Sequence, residues 1–293
     1  MTQSPQVLFI TGAGSGLGLE CALFLAGHSY RVFGAVLNAA DEDNLRAAAA
    51  QAGVAVSAVR MDVTNQEQIH QAVNGLLAET GRIDGLIHFA GLGLRGFFED
   101  LSLEEIRRVY DVNVFGIMAL TQAVLPHMRG RRAGRIIVTS SAGGRMGAMS
   151  ISGYASSKFA VEGFAECLSL EVRPFNIHVS LLEPGLIKTP HFTVNRNRAA
   201  RATDPASPYF VWFQRHEEIV DGILARNHFT SRDVARTVKK ILEAPRPRLR
   251  YVVGRNAKII LNLRRYIPGE LFERVYWGVA RRMVTKPRDP HNK

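Results

Sequence analysis

Between Gln6 and Gly254 the chain alternates short β-branched runs with longer stretches of helical periodicity, and this alternation constrains its fold more than any other feature. "QVLFITG", "RVFGAVL", "AVSAVRMDV", "DGLIHFAG", "GRIIVTSS", "IHVSLLEPG" and "RYVVG" read as strands. The segments between them read mostly as helices, including a long one from about Leu103 to Met128 and another through Tyr154 to about Val172. Repeated βα units predict an α/β Rossmann-type architecture, a doubly wound parallel sheet of about seven strands with helices on both faces. The rhythm lapses over 186–230, which reads as an insertion over one end of the sheet, and resumes with a helix at Ser231–Glu243. We therefore expect one domain over 1–255 and a C-terminal helical extension over 256–293, broken near Pro268 and Gly269.

Charge is concentrated in that last part. The net charge is +11, yet residues 231–293 hold 17 Lys and Arg against 5 Asp and Glu, so the rest of the chain is nearly neutral. An anionic partner would meet the protein there. The apolar runs are strand-sized, shorter than the roughly 20 residues of a membrane span, and the N-terminus lacks the pattern of a secretory signal. A cytoplasmic location is expected, with a peripheral membrane contact as the alternative. Cys21 and Cys167 are expected to be buried reduced thiols, and nothing in the sequence suggests a metal site.

Two patterns carry chemistry. "ITGAGSGLGLE" places Gly12, Gly14, Gly16 and Gly18 between a strand and a helix, where glycines allow a tight turn and let the helix N-terminus meet a pyrophosphate. "YASSK" sets Tyr154 and Lys158 four residues apart, so on a helix they share one face. A free phenol has a pKa of about 10, and lowering it to about 7 takes roughly 4 kcal/mol of preferential phenolate stabilisation. A close ammonium can supply that.

TGxxxGxG at Thr11–Gly18, "AG" at Ala90 and Gly91, "NVFG" from Asn113, Ser141 thirteen residues before Tyr154, YxxxK, and "PG" at Pro184 and Gly185 occur in this order. In these motifs the chain resembles the classical short-chain dehydrogenase/reductase family over about residues 6–254, and in "FGAVLN" it is similar to the branch of 17β-hydroxysteroid, retinol and 3-hydroxybutyrate dehydrogenases. The resemblance implies that Tyr154 exchanges a proton with the substrate oxygen while hydride moves to or from a nicotinamide. It implies that Lys158 lowers the phenol's pKa and binds the nicotinamide ribose, that Ser141 bonds the substrate oxygen, and that Asn113 holds a water or backbone group on the proton path. Implied cofactor contacts are Gly12, Ser15, Gly16, Leu17, Gly18, Leu37, Asn38, Asp62, Val63, Ala90, Gly91, Tyr154, Lys158, Pro184, Gly185, Ile187 and Thr189. Asp62 could instead cap the following helix. "HFAG" departs from the family's "NNAG", and His88 is expected to be a packed residue rather than a catalyst.

Val36, Leu37 and Asn38 offer neither an acid for a ribose 2′-hydroxyl nor a base for a 2′-phosphate. With no cation in view and acids at 41–43, NAD is favoured over NADP. Substrate contacts are expected from Ser141, Phe97, Met146, Met149, Phe192 and Trp212, which suit a lipophilic alcohol or ketone such as a steroid, retinoid or other lipid. The alternatives are an NADPH-dependent carbonyl or 3-oxoacyl reductase and, outside enzymes, an NAD(H)- or lipid-sensing binding protein. A homodimer or homotetramer is expected from the resemblance. The tail 256–293 is expected to cover the domain or to touch an anionic membrane, and nucleic acid is disfavoured because no recognised module accompanies the charge.

Overall fold

The computed structural model describes residues 5–187 and 196–285. Its seven strands form one parallel sheet in the order β3-β2-β1-β4-β5-β6-β7. They are β1 (Val7–Thr11), β2 (Arg31–Val36), β3 (Val56–Arg60), β4 (Gly85–His88), β5 (Gly134–Thr139), β6 (Ile177–Pro184) and β7 (Arg250–Val253). The order reverses between β1 and β4, which opens a crevice at the C-terminal strand ends.

A parallel strand covered on both faces buries side chains of both parities, so its sequence is continuously apolar. In β1, Val7 and Phe9 join Phe33, Leu86 and Ile136 on one face, against α3 (Gln66–Thr80), α5 (Gly116–Arg131) and α6 (Ser152–Glu171) through Val73, Leu120 and Val161. Leu8 and Ile10 join Val32, Ile87 and Ile137 on the other face, against α1 (Gly16–Ala26), α2 (Ala39–Ala52) and α8 (Ser231–Glu243) through Cys21, Leu45 and Val238. Each fully buried large side chain contributes about 1.5–3 kcal/mol. Local signals set the helix ends: Asn38 Oδ1 accepts from the Asp41 amide at 2.9 Å to cap α2, and Thr230 and Asp233 form a capping box on α8.

The long helix expected over 103–128 is not a continuous α-helix. It runs as α4 (Leu103–Tyr110), a π-helical turn over Asp111–Phe115, and then α5. The wider turn carries Asn113, which is fully buried. Contrary to the reading of its apolar runs, 103–131 is long and apolar enough by composition to cross a bilayer, but Ile117, Leu120 and Val124 pack it on the sheet. The cysteine expectation holds only for Cys21, whose thiol is pushed up by burial; Cys167 lies on an outward face of α6 and is exposed.

After β6, the described part of the insertion contains α7 (Phe210–Ala225). The extension folds as α9 (Arg255–Tyr266) and α10 (Gly269–Thr285), and both pack back on the body. Arg215 Nη1 of α7 donates to the Val284 carbonyl at 2.8 Å, tying α10 to the insertion.

Candidate active site

The glycine turn is shaped by contact as well as by conformation. Gly12 (φ +68°) and Gly16 (φ +57°) lie in the left-handed region. A Cβ on Gly12 would stand 2.8 Å from the Ala90 nitrogen, and one on Gly18 would stand 2.2 Å from the Gly12 carbonyl oxygen. Thr11 Oγ1 accepts from the Phe89 and Ala90 amides at 3.1 and 3.0 Å, which pins the end of β1 to the end of β4. No acidic residue lies in the first turn of α1, and the Ser15 side chain makes no capping bond, so the helix's positive end faces the crevice uncompensated.

This crevice, about 200 Å³, is lined by Gly12, Ser15, Gly16, Leu17, Gly18, Ala90, Gly91, Lys158, Pro184, Gly185 and Ile187 together with Tyr154 and Ser141. The buried hydroxyls Thr139 Oγ1 and Ser140 Oγ have no hydrogen-bond partner among the described residues. A backbone cradle, an open helix N-terminus and unpaired hydroxyls suit a dinucleotide, and the residues present fit NAD(P). Asp62, Val63, Leu37 and Asn38 lie outside this lining. Asp62 does not cap α3, because its Oδ1 accepts from the Thr64 amide and hydroxyl at 2.8 Å and Asn65 provides the cap. Leu37 is exposed, and Asn38 is engaged at the α2 N-terminus. Thr189 and Phe192 lie outside the described residues.

Helix α6 presents Tyr154 and Lys158 on one face, as their spacing requires, with the Nζ 5.8 Å from the centre of the Tyr154 ring. Lys158 Nζ donates to the Thr139 carbonyl at 2.9 Å, Ser141 hydrogen-bonds Tyr154, and Ser141 Oγ accepts from the Gly143 amide at 3.1 Å. Asn113 holds the Leu92 backbone at both ends: Oδ1 accepts from its amide at 2.7 Å and Nδ2 donates to its carbonyl at 2.8 Å. Nδ2 also donates to Ser157 Oγ at 3.1 Å, on α6 immediately before Lys158. Of the two options for Asn113, the structure thus supplies a backbone group.

Burial pushes the Tyr154 phenol above its ordinary value, and the Ser141 hydrogen bond opposes this only in part. Lys158 stands over the ring and bonds a carbonyl, and burial lowers its own pKa to about 8, with Glu162 acting the other way. Behind the pair lies a buried ionic group that sequence reading missed. Arg250 Nε donates to Glu162 at 3.0 Å, Arg145 reaches Glu183 at 3.2 Å, and the fully buried Glu183 is pushed up to about 7, chiefly by burial and then by Glu162. His88 is packed as expected, sharing a hydrogen bond with Thr121 at 3.1 Å and driven down to about 3 by burial.

A second cavity, of about 460 Å³, meets the crevice at Ser141, Tyr154 and Gly185. Leu94, Met146 and Met149 line it. Phe97 and Trp212 do not: Phe97 stacks on Tyr209 at 5.0 Å with Trp212 at 6.3 Å, so these rings pack the insertion against the segment that follows β4. Much of the remaining wall comes from Ile219, Val220 and Ile223 of α7 and from Ile260, Tyr276, Val279, Ala280 and Val284 of the extension. Polar groups are few. Among them His216 shares a hydrogen bond with Ser150 at 2.7 Å and is lowered to about 4 by burial and then by Arg95, leaving a neutral imidazole.

Near the crevice, β-sheet register pairs Val36 with Arg60. Arg60 is therefore a cation beside the position where the sequence offered none, and Glu42 holds it at 2.9 Å while also holding Arg46.

Comparison with known proteins agrees with this geometry. The family model for short chain dehydrogenases matches residues 6–200. The chain is 34% identical to the 3-ketodihydrosphingosine reductase of Bacteroides thetaiotaomicron, over 94% of this chain and 99% of that one. It is 35% identical to the retinol dehydrogenase 8 of Bos taurus, over 85% and 82%. Its fold is similar to a short-chain dehydrogenase from Streptomyces avermitilis, with a TM-score of 0.78, 30% identity and coverage of 95% of this chain and 100% of that one. A Burkholderia phymatum short chain dehydrogenase/reductase in complex with NAD (TM-score 0.77, 26% identity, 100% of both chains) and an actinorhodin polyketide ketoreductase with NADPH (0.73, 28%, 86% and 97%) are also similar. The chain belongs to the short chain dehydrogenase family. It is an oxidoreductase that acts on alcohols and ketones with NAD(P).

Proposed function

We propose that the protein interconverts a lipophilic secondary or allylic alcohol and its carbonyl, with Tyr154 as the proton-transfer residue and NAD(H) as the preferred cofactor. The observation that carries this reading is the apolar cavity of about 460 Å³ that meets the dinucleotide crevice at Ser141 and Tyr154. The relatives named for a ketodihydrosphingosine and for retinol are consistent with a long apolar substrate.

Bound NAD(P) supplies the hydride acceptor or donor. In the oxidation direction Tyr154 takes the hydroxyl proton as the carbinol carbon gives up its hydride, and in reduction it returns a proton to the oxygen, so charge and electrons balance either way. Ser141 orients that oxygen. Lys158 favours the phenolate through its charge, and Asn113 fixes the Leu92 backbone and Ser157 beside the pair. Because burial raises the Tyr154 phenol, generating phenolate depends on Lys158 remaining charged, which its value of about 8 permits at neutral pH.

Glu42 underlies the cofactor preference, since it neutralises Arg60 beside the ribose-selecting position. The second reading, an NADPH-dependent reductase, draws on that same arginine. Exposed Phe115 at the end of the π-turn and Phe159 and Leu170 on α6 support a homodimer or homotetramer through these two helical segments. The test is fluorescence titration with NADH and NADPH, followed by turnover of steroid, retinoid and long-chain alcohols. Tighter NADH binding and turnover that rises with substrate apolar size are expected. Activity confined to short polar alcohols would remove the lipophilic reading. Tyr154→Phe is expected to cut turnover at least about 1,000-fold with cofactor affinity within about twofold, in line with loss of a proton-transfer group and of nothing else.

A further inference from the structure

Helices α9 and α10 each use one face to close the substrate cavity and leave a second apolar face uncovered. On α9 the buried residues are Ala257 and Leu261, while Ile259, Leu263 and Tyr266 are 48%, 45% and 77% exposed. On α10 Phe272 and Val284 are buried, while Leu271, Val275 and Val279 stand one above the next at intervals of four and are about half exposed; Trp277 is exposed on the opposite flank of the helix. A helix needs one apolar stripe to pack on a domain, so these second stripes are unused by the fold.

Charge identifies what covers them. Over 255–285 the chain carries Arg255, Lys258, Arg264, Arg265, Arg274, Arg281 and Arg282 against Glu270 and Glu273. A second copy docking by the same face would bring two such positive surfaces together, whereas an anionic one is complementary. Aliphatic side chains with a tryptophan, a tyrosine and surrounding arginines match the layered chemistry of a bilayer interface: apolar at the acyl boundary, cationic at the phosphates. The surface is also continuous with the cavity. Val279 and Ile223 both line the cavity and are exposed, at 49% and 38%, so the cavity wall reaches the outer surface at this face.

We infer that α9 and α10 dock the protein on an anionic lipid surface, so that the substrate cavity opens toward the bilayer. The role of the surface in substrate delivery rests on the lipophilic reading above; the docking itself does not.

Flotation with phosphatidylcholine vesicles, with and without about one-third phosphatidylglycerol, tests this without any turnover. Each arginine at such a surface is worth roughly fivefold in partitioning, so the anionic vesicles are expected to retain at least about tenfold more protein, and about 0.5 M salt is expected to reduce this sharply. Leu271→Asp with Val275→Asp, neither of which lines the cavity, is expected to abolish flotation while NADH binding stays within about twofold. Should that pair unfold, Arg265→Glu with Arg274→Glu is the second probe, expected to lose the anionic preference. Failure of the wild-type protein to float, equal binding to both vesicles, or binding indifferent to both variants each overturns the proposal. So does self-association through this face that the same substitutions dissolve without any effect on vesicles. A docking protein that turns over only short polar alcohols would instead retain this inference and lose the lipophilic substrate.

Discussion

The two cavities that meet at Tyr154 are built on opposite principles. The dinucleotide crevice is made of backbone: Gly12 and Gly18 have no room for one carbon more, and Thr11 and Asn113 hold the strand ends and the Leu92 peptide in place. Much of the substrate cavity's wall is made of side chains from α7, α9 and α10, elements joined to the sheet by packing rather than by the ladder. A site that must fit one invariant cofactor tolerates rigid, contact-limited construction. A site that must fit a particular substrate is assembled from replaceable side chains on peripheral helices.

The sharpest way to break this comparison is to add a single methyl group on the rigid side. In Gly18→Ala the new Cβ would lie 2.2 Å from the Gly12 carbonyl oxygen, a distance no real contact sustains, so the turn must open. Cofactor affinity is expected to fall at least about 100-fold, or nearly 3 kcal/mol. Fluorescence titration reads this directly, and retention of near-normal affinity would mean that the crevice is not limited by backbone contact.

The next effect lies at the junction. Glu183 sits at the end of β6, immediately before Pro184 and Gly185, and is pushed from its ordinary 4.5 to about 7. Between those values the folded protein keeps a proton that the unfolded chain has lost, so this group's contribution to stability falls as pH rises from about 4.5 to 7 and then levels off. The full shift corresponds to about 3 kcal/mol, and partial exposure of Arg145 and Arg250 reduces the expected span to about 1–2 kcal/mol. Glu183→Gln is expected to remove this slope and to raise the melting temperature at pH 8. A steeper slope in the variant would mean that the ion pair with Arg145, rather than the buried charge, dominates.

Cofactor choice tests whether the rigid side can be retuned by side chains at its rim. Arg60 lies beside Val36 in the sheet and is occupied by Glu42. Freeing it with Glu42→Gln is expected to move the NADPH-to-NADH affinity ratio about tenfold toward NADPH, because an unneutralised guanidinium can then meet a 2′-phosphate. An unchanged ratio would show that Arg60 does not reach the ribose.

The contrast between the two sides also explains what could be read from sequence. Strand runs, the glycine turn and the Tyr154–Lys158 spacing are local, since each is dictated by backbone geometry over a few residues, and all seven strands lie where their apolar runs predicted. The π-turn at Asp111–Phe115 was missed because one extra residue per turn does not alter the apolar period of α4 and α5 enough to show. Phe97 and Trp212 drew attention as aromatics near the site, yet side-chain chemistry cannot say whether a ring faces a cavity or another ring, and these face each other. The extension's part in the cavity, and the Glu162–Arg250–Glu183–Arg145 group, join positions far apart in the chain. For a related reason, spacing shows the nearby ammonium but not the burial that pushes the phenol up.

The smallest effect is expected on the adaptable side, and its smallness is the point. Ala280 of α10 lines the cavity at a half-buried position. Phenylalanine there would occupy part of about 460 Å³ with no backbone to collide with, and α10 can shift because it is held by packing on α7 and a few bonds such as that from Arg215 to the Val284 carbonyl. Ala280→Phe is therefore expected to raise KM for a sterol-sized alcohol about threefold to fivefold, to leave a four-carbon alcohol unaffected, and to leave cofactor affinity unchanged, a split that steady-state kinetics on the two substrates resolves. If the same substitution weakened NADH binding as strongly as Gly18→Ala, the wall formed by the extension would be coupled to the crevice, and the division between a rigid cofactor side and a replaceable substrate side would fail.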